Sequence, residues 1–361
     1  MKTESIISID NVTKTFGAFT AINQISLEVP KGCFMTLLGP SGCGKTTLMR
    51  MIAGFHEPDA GDIFIEGARV DNTAANKRKT PLVFQEYALF PHMSVFENIA
   101  YGLKVSKYPK TEIKQKVEEM LEMFGLKGME HRFPKEMSGG QQQRVAFARA
   151  LIMGQNIILM DEPLSNLDAK MRVEVRNDLR DLQQRTGVTA IFVTHDQDEA
   201  LSMSDYIAVF NKGTISQIGT PWDIYNKPSN RFVAEFVGVA NLIVGEVLRV
   251  EGDDITVQCD DHHYTIEQLG HDFIVGEQVE LMIRPESLQI SSAVQHDSQS
   301  SYSIKGHIKK SSFLGRMIRY WVTSGTKEWI VDIANPEKQL EGFVSLILDP
   351  SKIHLLKLVD E

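Results

Sequence analysis

One string constrains this chain more than any other feature: Gly39-Pro40-Ser41-Gly42-Cys43-Gly44-Lys45-Thr46. It fits the pattern G-x-x-x-x-G-K-[ST] and lies between an apolar run, CFMTLLG (33–39), and a helix-like segment, TTLMRMIAG (46–54). Glycines let a backbone curl until successive amides point inward at one anion, and the helix start behind them adds its positive dipole end. In such a cradle Lys45 reaches the β and γ phosphates of a nucleotide. The Thr46 hydroxyl ligates magnesium, and Thr47 continues the helix start. Cys43 reads as a small filler of the loop rather than a reactive thiol.

A strand-loop-helix unit of this kind belongs in an α/β fold, and the surrounding pattern agrees. PLVFQ (81–85), NIILMDE (156–162), TAIFVTH (189–195) and YIAVF (206–210) are short and nearly continuously apolar. Strands without a polar face sit in a sheet covered on both sides. Between these runs the composition turns to helix formers. KTEIKQKVEEMLEMFGL (110–126) places Ile113, Val117, Met120, Leu121 and Phe124 at helical spacing, which predicts a helical subdomain at about 93–150.

The texture changes after Asn241. Short alternating strands with turns such as EGDD and TSGT replace the mixed pattern, so the expected domains are 1–240 (α/β) and 241–361 (all-β). The tail also repeats itself. Val279, Leu281, Ile283, Pro285, Leu288 and Ile290 recur as Val344, Leu346, Leu348, Pro350, Ile353 and Leu355, which predicts two similar β lobes. The Ser/Gln-rich SSAVQHDSQSS (291–301) reads as an exposed connection between them.

Composition excludes several classes. With 42% apolar and 24% charged residues among 361, the chain is neither disordered nor fibrous. It has no apolar stretch near the roughly 18 residues of a membrane helix and no signal-peptide pattern at its start. Three cysteines without a CxxC pair argue against a zinc site and a disulfide framework and fit a reducing cytoplasm. The net charge of −9 is concentrated in residues 241–361, with 19 acidic against 11 basic side chains. No basic stripe for a phosphate backbone is present, so nucleic acid is not an expected partner.

Two further segments carry chemistry. NIILMDEP (156–163) ends a buried strand with two carboxylates: Asp161 is placed to hold magnesium, and Glu162, facing the other way, to act as general base on an attacking water. Taken alone, a solvated acidic turn explains the pair equally well. MSGGQQQRVAFARAL (137–151) is a Gly-Gly turn opening a helix with Ser138 as N-cap, a second anion-seeking helix start 93 residues after Lys45. By itself a capped helix is the simpler reading.

Together these residues resemble the nucleotide-binding subunits of ATP-binding cassette transporters, over residues 6 to 240. Ser138-Gly139-Gly140-Gln141 is similar to the family's signature turn, Gln85 to its Q-loop and His195 to its switch histidine. Ser165-Asn166-Leu167-Asp168 is similar to the D-loop, and Phe16 to the aromatic that stacks on adenine. The resemblance implies a P-loop NTPase domain and the cofactors ATP and Mg2+. It also implies γ-phosphate contacts from His195, and magnesium or water ligation by Gln85 beside Thr46 and Asp161. Two departures are mild: Met137 stands where leucine is usual, and Asn166 where alanine is common.

The resemblance further implies a head-to-tail homodimer, in which ATP lies between one subunit's phosphate loop and the other's Ser138 turn. Family members of this kind work with two integral membrane permease subunits and an extracytoplasmic solute-binding protein, peripherally on the cytoplasmic face of the plasma membrane. Tyr87, Leu89 and Phe90 are the apolar residues expected at the permease groove. The tail, including RPESLQI (284–290), resembles the OB-like TOBE regulatory lobes of importers, with a lean toward polyamine, ferric iron or phosphonate. The competing reading is a soluble cassette ATPase of DNA repair or chromosome maintenance. That class carries a long coiled-coil insertion before the signature, and only about 90 residues without sustained heptads intervene here.

Overall fold

The computed structural model describes residues 4–260, 262–292 and 303–358. The chain divides into two compact units, Met1–Trp222 and Asp223–Glu361.

The first unit is built on a six-stranded sheet in the order Thr214–Gly219, Tyr206–Asn211, Phe34–Leu38, Thr189–Thr194, Ile157–Asp161, Leu82–Val83. All neighbours run parallel except the Thr214–Gly219 edge strand. Side chains of a strand alternate between faces, and both faces here are apolar. Phe34, Ile158, Met160, Ala190 and Phe192 enter one core, beneath the helices Val95–Val105, Lys110–Met123 and Gly139–Leu151. Met35, Leu37, Ile157, Leu159, Ile191 and Val193 enter a second core with the Lys45–Ala53 helix.

That second core is closed by an antiparallel sheet, Phe19–Pro30, Ser5–Phe16, Ala60–Ile65 and Ala68–Arg69. Its separate existence is not apparent from the sequence, because register shifts between Ile9 and Val12, and again to Lys14, break the period-2 alternation of the Ser5–Phe16 strand. The helix expected over 110–126 runs Lys110–Met123; Ile113, Val117 and Leu121 are buried, and Gly125 in the left-handed region ends it.

Among its described residues the second unit is all-β apart from short 3-10 turns, the helix Arg231–Val237 and the helix Pro221–Asn226 that leads into it. These helices explain why the division falls ahead of residue 240: Ala234 packs on Met282 and Leu356. Arg284, 2% exposed, donates to the carbonyls of Tyr225, Ala234 and Val239 and lies over the Tyr225 ring at 4.2 Å. The repeated motif forms matching pieces, a strand, a 3-10 turn at proline and a second strand.

The pieces interlock rather than forming separate lobes. Gln278–Ile283 pairs with Ile353–Lys357, and Phe343–Ile347 pairs with Gln289–Ser292, so each copy gives its last strand to the other's sheet. One hydrophobic cluster serves both sheets. The Ser/Gln-rich connection lies, beyond Ser292, outside the described residues. No helix among the described residues is long and apolar enough to cross a membrane.

Candidate functional site

Parallel pairing sets the geometry of the site. Leu38 is level with Thr194, and Asp161 with Val193. The chain therefore delivers Gly39, Asp161-Glu162 and His195 to the same carboxyl edge of the sheet, and Gln85 follows two residues after Val83 on the flanking strand, where α/β folds place ligands.

The phosphate loop is tight. At Gly44, with φ +107°, a Cβ would lie 2.5 Å from the Ala21 carbonyl oxygen; at Gly39 a Cβ would meet the Phe210 carbonyl oxygen at 2.6 Å. Only glycine fits either position. Lys45 is 4% exposed, and its ammonium donates to the carbonyls of Gly39 (2.7 Å) and Pro40 (2.8 Å). The Lys45–Ala53 helix has no side-chain cap at its start, so its first amides keep their pull on an anion. Thr46 donates its hydroxyl to Asp161 Oδ1 at 3.0 Å. Burial pushes the Asp161 carboxyl up from its ordinary value, with the Thr46 hydrogen bond opposing. A hydroxyl and a carboxylate on one spot form a hard oxygen donor set suited to magnesium.

Glu162 takes φ +44°, a region costly for a non-glycine residue and common at functional sites. The turn is held by donation from its own amide to Val193 O (3.1 Å) and by acceptance from the Ser165 hydroxyl (2.9 Å). The Glu162 carboxylate reaches His195, whose Nδ1 lies 3.2 Å from Glu162 Oε2. Ser138 caps its helix through a reciprocal pair: Gln141 N donates to Ser138 Oγ and Ser138 N to Gln141 Oε1. The Gly139–Leu151 helix belongs to the first core and the phosphate-loop helix to the second, so the two anion-seeking helix starts flank opposite faces of one sheet. Asp168 caps the Ala169–Thr186 helix by accepting from Met171 N.

The Asn166 departure has a structural use: its side-chain amide donates to the Gln85 carbonyl at 3.1 Å, a bond alanine cannot make. Arg149, on the Ser138 helix, holds the carbonyls of Tyr87 (2.9 Å) and Ala88 (2.8 Å) just past Gln85.

Phe16 is exposed, edge-on to His56 at 5.5 Å, and not part of the core. Its strand end is fixed by Asp59, which accepts from Lys14 Nζ, Thr15 N and Thr15 Oγ1. These donors, Lys14 first, hold the Asp59 carboxyl at about 2. The ties are complete above the ordinary carboxylate value and fail only as pH falls through about 2. On the expectation that Phe16 stacks on adenine, Asp59→Asn should raise KM for ATP several-fold with kcat little changed, which steady-state kinetics at pH 7.5 would show. Sequence reasoning missed Asp59 because its partners lie about 45 residues away.

Tyr87 and Leu89 do not present themselves to a partner. Tyr87 is 6% exposed within the first core, Leu89 packs against it, and Phe90 lies half-buried against Tyr101 and Arg149. The seam between the sheet and the helical subdomain absorbs all three. An open groove of about 490 Å³ lies beside them, where Phe55 and Phe84 expose their rings next to Leu82, Met153 and the cations Lys79 and Arg149.

Residues 22–165 match the ABC transporter family and residues 281–356 the TOBE domain. The chain is 49% identical over 318 residues to the Fe(3+) ions import ATP-binding protein FbpC of Rhizobium etli, covering 88% of this chain and 87% of that protein. It is 42% identical over 357 residues to the spermidine/putrescine import ATP-binding protein PotA of Clostridium acetobutylicum, covering 99% and 98%. Among solved structures, a dimeric ATP-binding cassette in a post-hydrolysis state with ADP and Pi superposes with a TM-score of 0.52 at 30% identity, covering 60% of this chain and 98% of that one.

Proposed function

The chain belongs to the ATP-binding cassette transporter family, as an ATPase with a C-terminal TOBE domain, and from that premise we propose that it powers solute import. Two copies bind ATP between them, and separate membrane subunits carry the solute. The observation that carries this reading is the placement of the two helix starts, at Lys45 and Ser138, on opposite sides of one sheet, with Thr46 of the former hydrogen-bonded to Asp161. A single nucleotide is then enclosed by one copy's loop and the other's Ser138-Gly139-Gly140-Gln141 turn.

Within each half, the amides of residues 39–47 and the Lys45 ammonium hold the phosphates, and Phe16 stacks on the base. Thr46, Asp161 and Gln85 would hold a magnesium ion, which would supply positive charge against the developing charge on the phosphates. Glu162 takes the proton of the attacking water while His195 orients it and touches the γ-phosphate. Asp168 holds the turn that faces the partner copy. Loss of the shared phosphate removes the contact that both halves make, and the dimer opens.

The apolar groove at Phe55 and Phe84 is the surface that suits a helix from a membrane subunit, which would place the protein peripherally at the cytoplasmic face. Phe55→Ser is expected to leave basal ATP turnover within about twofold and to abolish its stimulation by solute-loaded binding protein in a reconstituted complex. Retained stimulation would remove the groove from the account. Relatives named for ferric iron and for spermidine/putrescine support those two solutes and lend none to the phosphonate expectation. Stimulation by an iron-loaded against a spermidine-loaded binding protein separates them.

A further inference from the structure

The His195 side chain is 55% exposed, yet the backbone on both sides of it is pinned. Thr194, 2% exposed, donates its hydroxyl to Glu199 Oε2 at 2.6 Å and accepts from Asp196 N at 3.0 Å. Asp196 in turn caps the next helix by accepting from Glu199 N at 3.0 Å. Glu199, 3% exposed, thus ties both neighbours of His195, Thr194 through its carboxylate and Asp196 through its backbone amide.

The positive partner comes from another part of the chain. Arg172, on the Ala169–Thr186 helix, approaches Asp196 Oδ2 at 3.5 Å and Glu199 Oε1 at 3.9 Å, and donates Nη2 to the Leu167 carbonyl at 3.1 Å. Its buried Nε has no hydrogen-bond partner. That nitrogen is the atom 3.9 Å from Glu199, so a shift of about 1 Å would complete a charge-assisted bond.

We propose that Arg172 and Glu199 form a bracket that sets the position of His195 and links it to the Ser165–Asp168 turn. Both are positioning residues, since the contacts they make reach His195 only through its neighbours Thr194 and Asp196. Displacement of the Leu167 carbonyl moves Arg172 against Glu199 and so shifts Thr194 and Asp196 together, carrying His195 relative to Glu162. An orphaned donor one step short of its acceptor gives the bracket two arrangements, one loose and one bonded.

The proposal rests on the reading of His195 as the group that orients the attacking water, and a double-mutant cycle separates the two. Glu199→Gln keeps the acceptor for Thr194 and removes the charge that faces Arg172. It is expected to lower kcat about tenfold with KM for ATP within about twofold and ATP binding unchanged. In a His195→Ala background the same substitution is expected to cost nothing further, because the group it positions is gone. Thr194→Val, which cuts the same bracket by a smaller change, gives a parallel cycle should Glu199→Gln fold poorly. A full tenfold loss in both backgrounds, or no loss in either, would overturn the bracket while leaving His195 in its role. A His195→Ala variant with unimpaired turnover would overturn both.

Discussion

Glu162→Gln is expected to lower ATP turnover by about 10² to 10³-fold while ATP binding stays within about threefold. The carboxylate is the base in this account, and the amide cannot take a proton. It can still accept from the ring nitrogen of His195, which lies 3.2 Å from the oxygen it replaces, so geometry is preserved while basicity is lost. The backbone at φ +44° persists because bonds to Val193 and Ser165, not the side chain, hold it. With hydrolysis blocked, ATP stays between the two copies, and a closed dimer accumulates on gel filtration in ATP and magnesium. A phosphate-release assay reads the first effect. Turnover within threefold of the unaltered protein would remove Glu162 from the role of base.

The second large effect is on stability. Arg78, 9% exposed, uses its guanidinium to donate to five main-chain carbonyls: Met51 and Ile52 at the end of the phosphate-loop helix, and Val70, Asp71 and Thr73. The cation also sits at the negative end of that helix. Arg78→Met orphans these carbonyls, each worth about 1–3 kcal/mol when left buried without a partner. Water entry recovers part of this, and a net loss of about 3–5 kcal/mol is expected. At about 2–4 °C per kcal/mol, the transition that ATP stabilises should fall by about 10 °C in calorimetry. Arg78→Lys restores little of it, because an ammonium cannot span five acceptors. A shift under 3 °C would show the clamp to be dispensable.

These cases mark where sequence is informative. The phosphate loop was legible from its own spacing after an apolar run; the Asp161-Glu162 pair and His195 were singled out only through the family resemblance, since a turn or a strand end explains each of them taken alone. Ser138 as an N-cap was legible because it directly precedes the Gly-Gly turn that opens the helix; the return bond from Gln141 was not foreseen. Arg78, Asp59 and the Arg172–Glu199 pair were not. Their partners are carbonyls and amides brought near by folding, and no local pattern announces which arginine turns inward. Asp196 and Glu199, spaced as an N-cap and its third helical residue, offered a faint local signal. The tail's repeat was readable as a pattern, but the exchange of last strands was not, since pairing partners depend on register across the whole unit.

The central claim concerns the shared nucleotide. In the Glu162→Gln background, one tagged copy carrying Ser41→Cys and a second carrying Ser138→Cys can be mixed with a short bifunctional thiol reagent. The native Cys33, Cys43 and Cys259 are buried and should stay silent. The account predicts a mixed crosslink between the two copies that forms with ATP and magnesium and is lost with ADP. Crosslinks joining only like positions, or a yield indifferent to nucleotide, would contradict it.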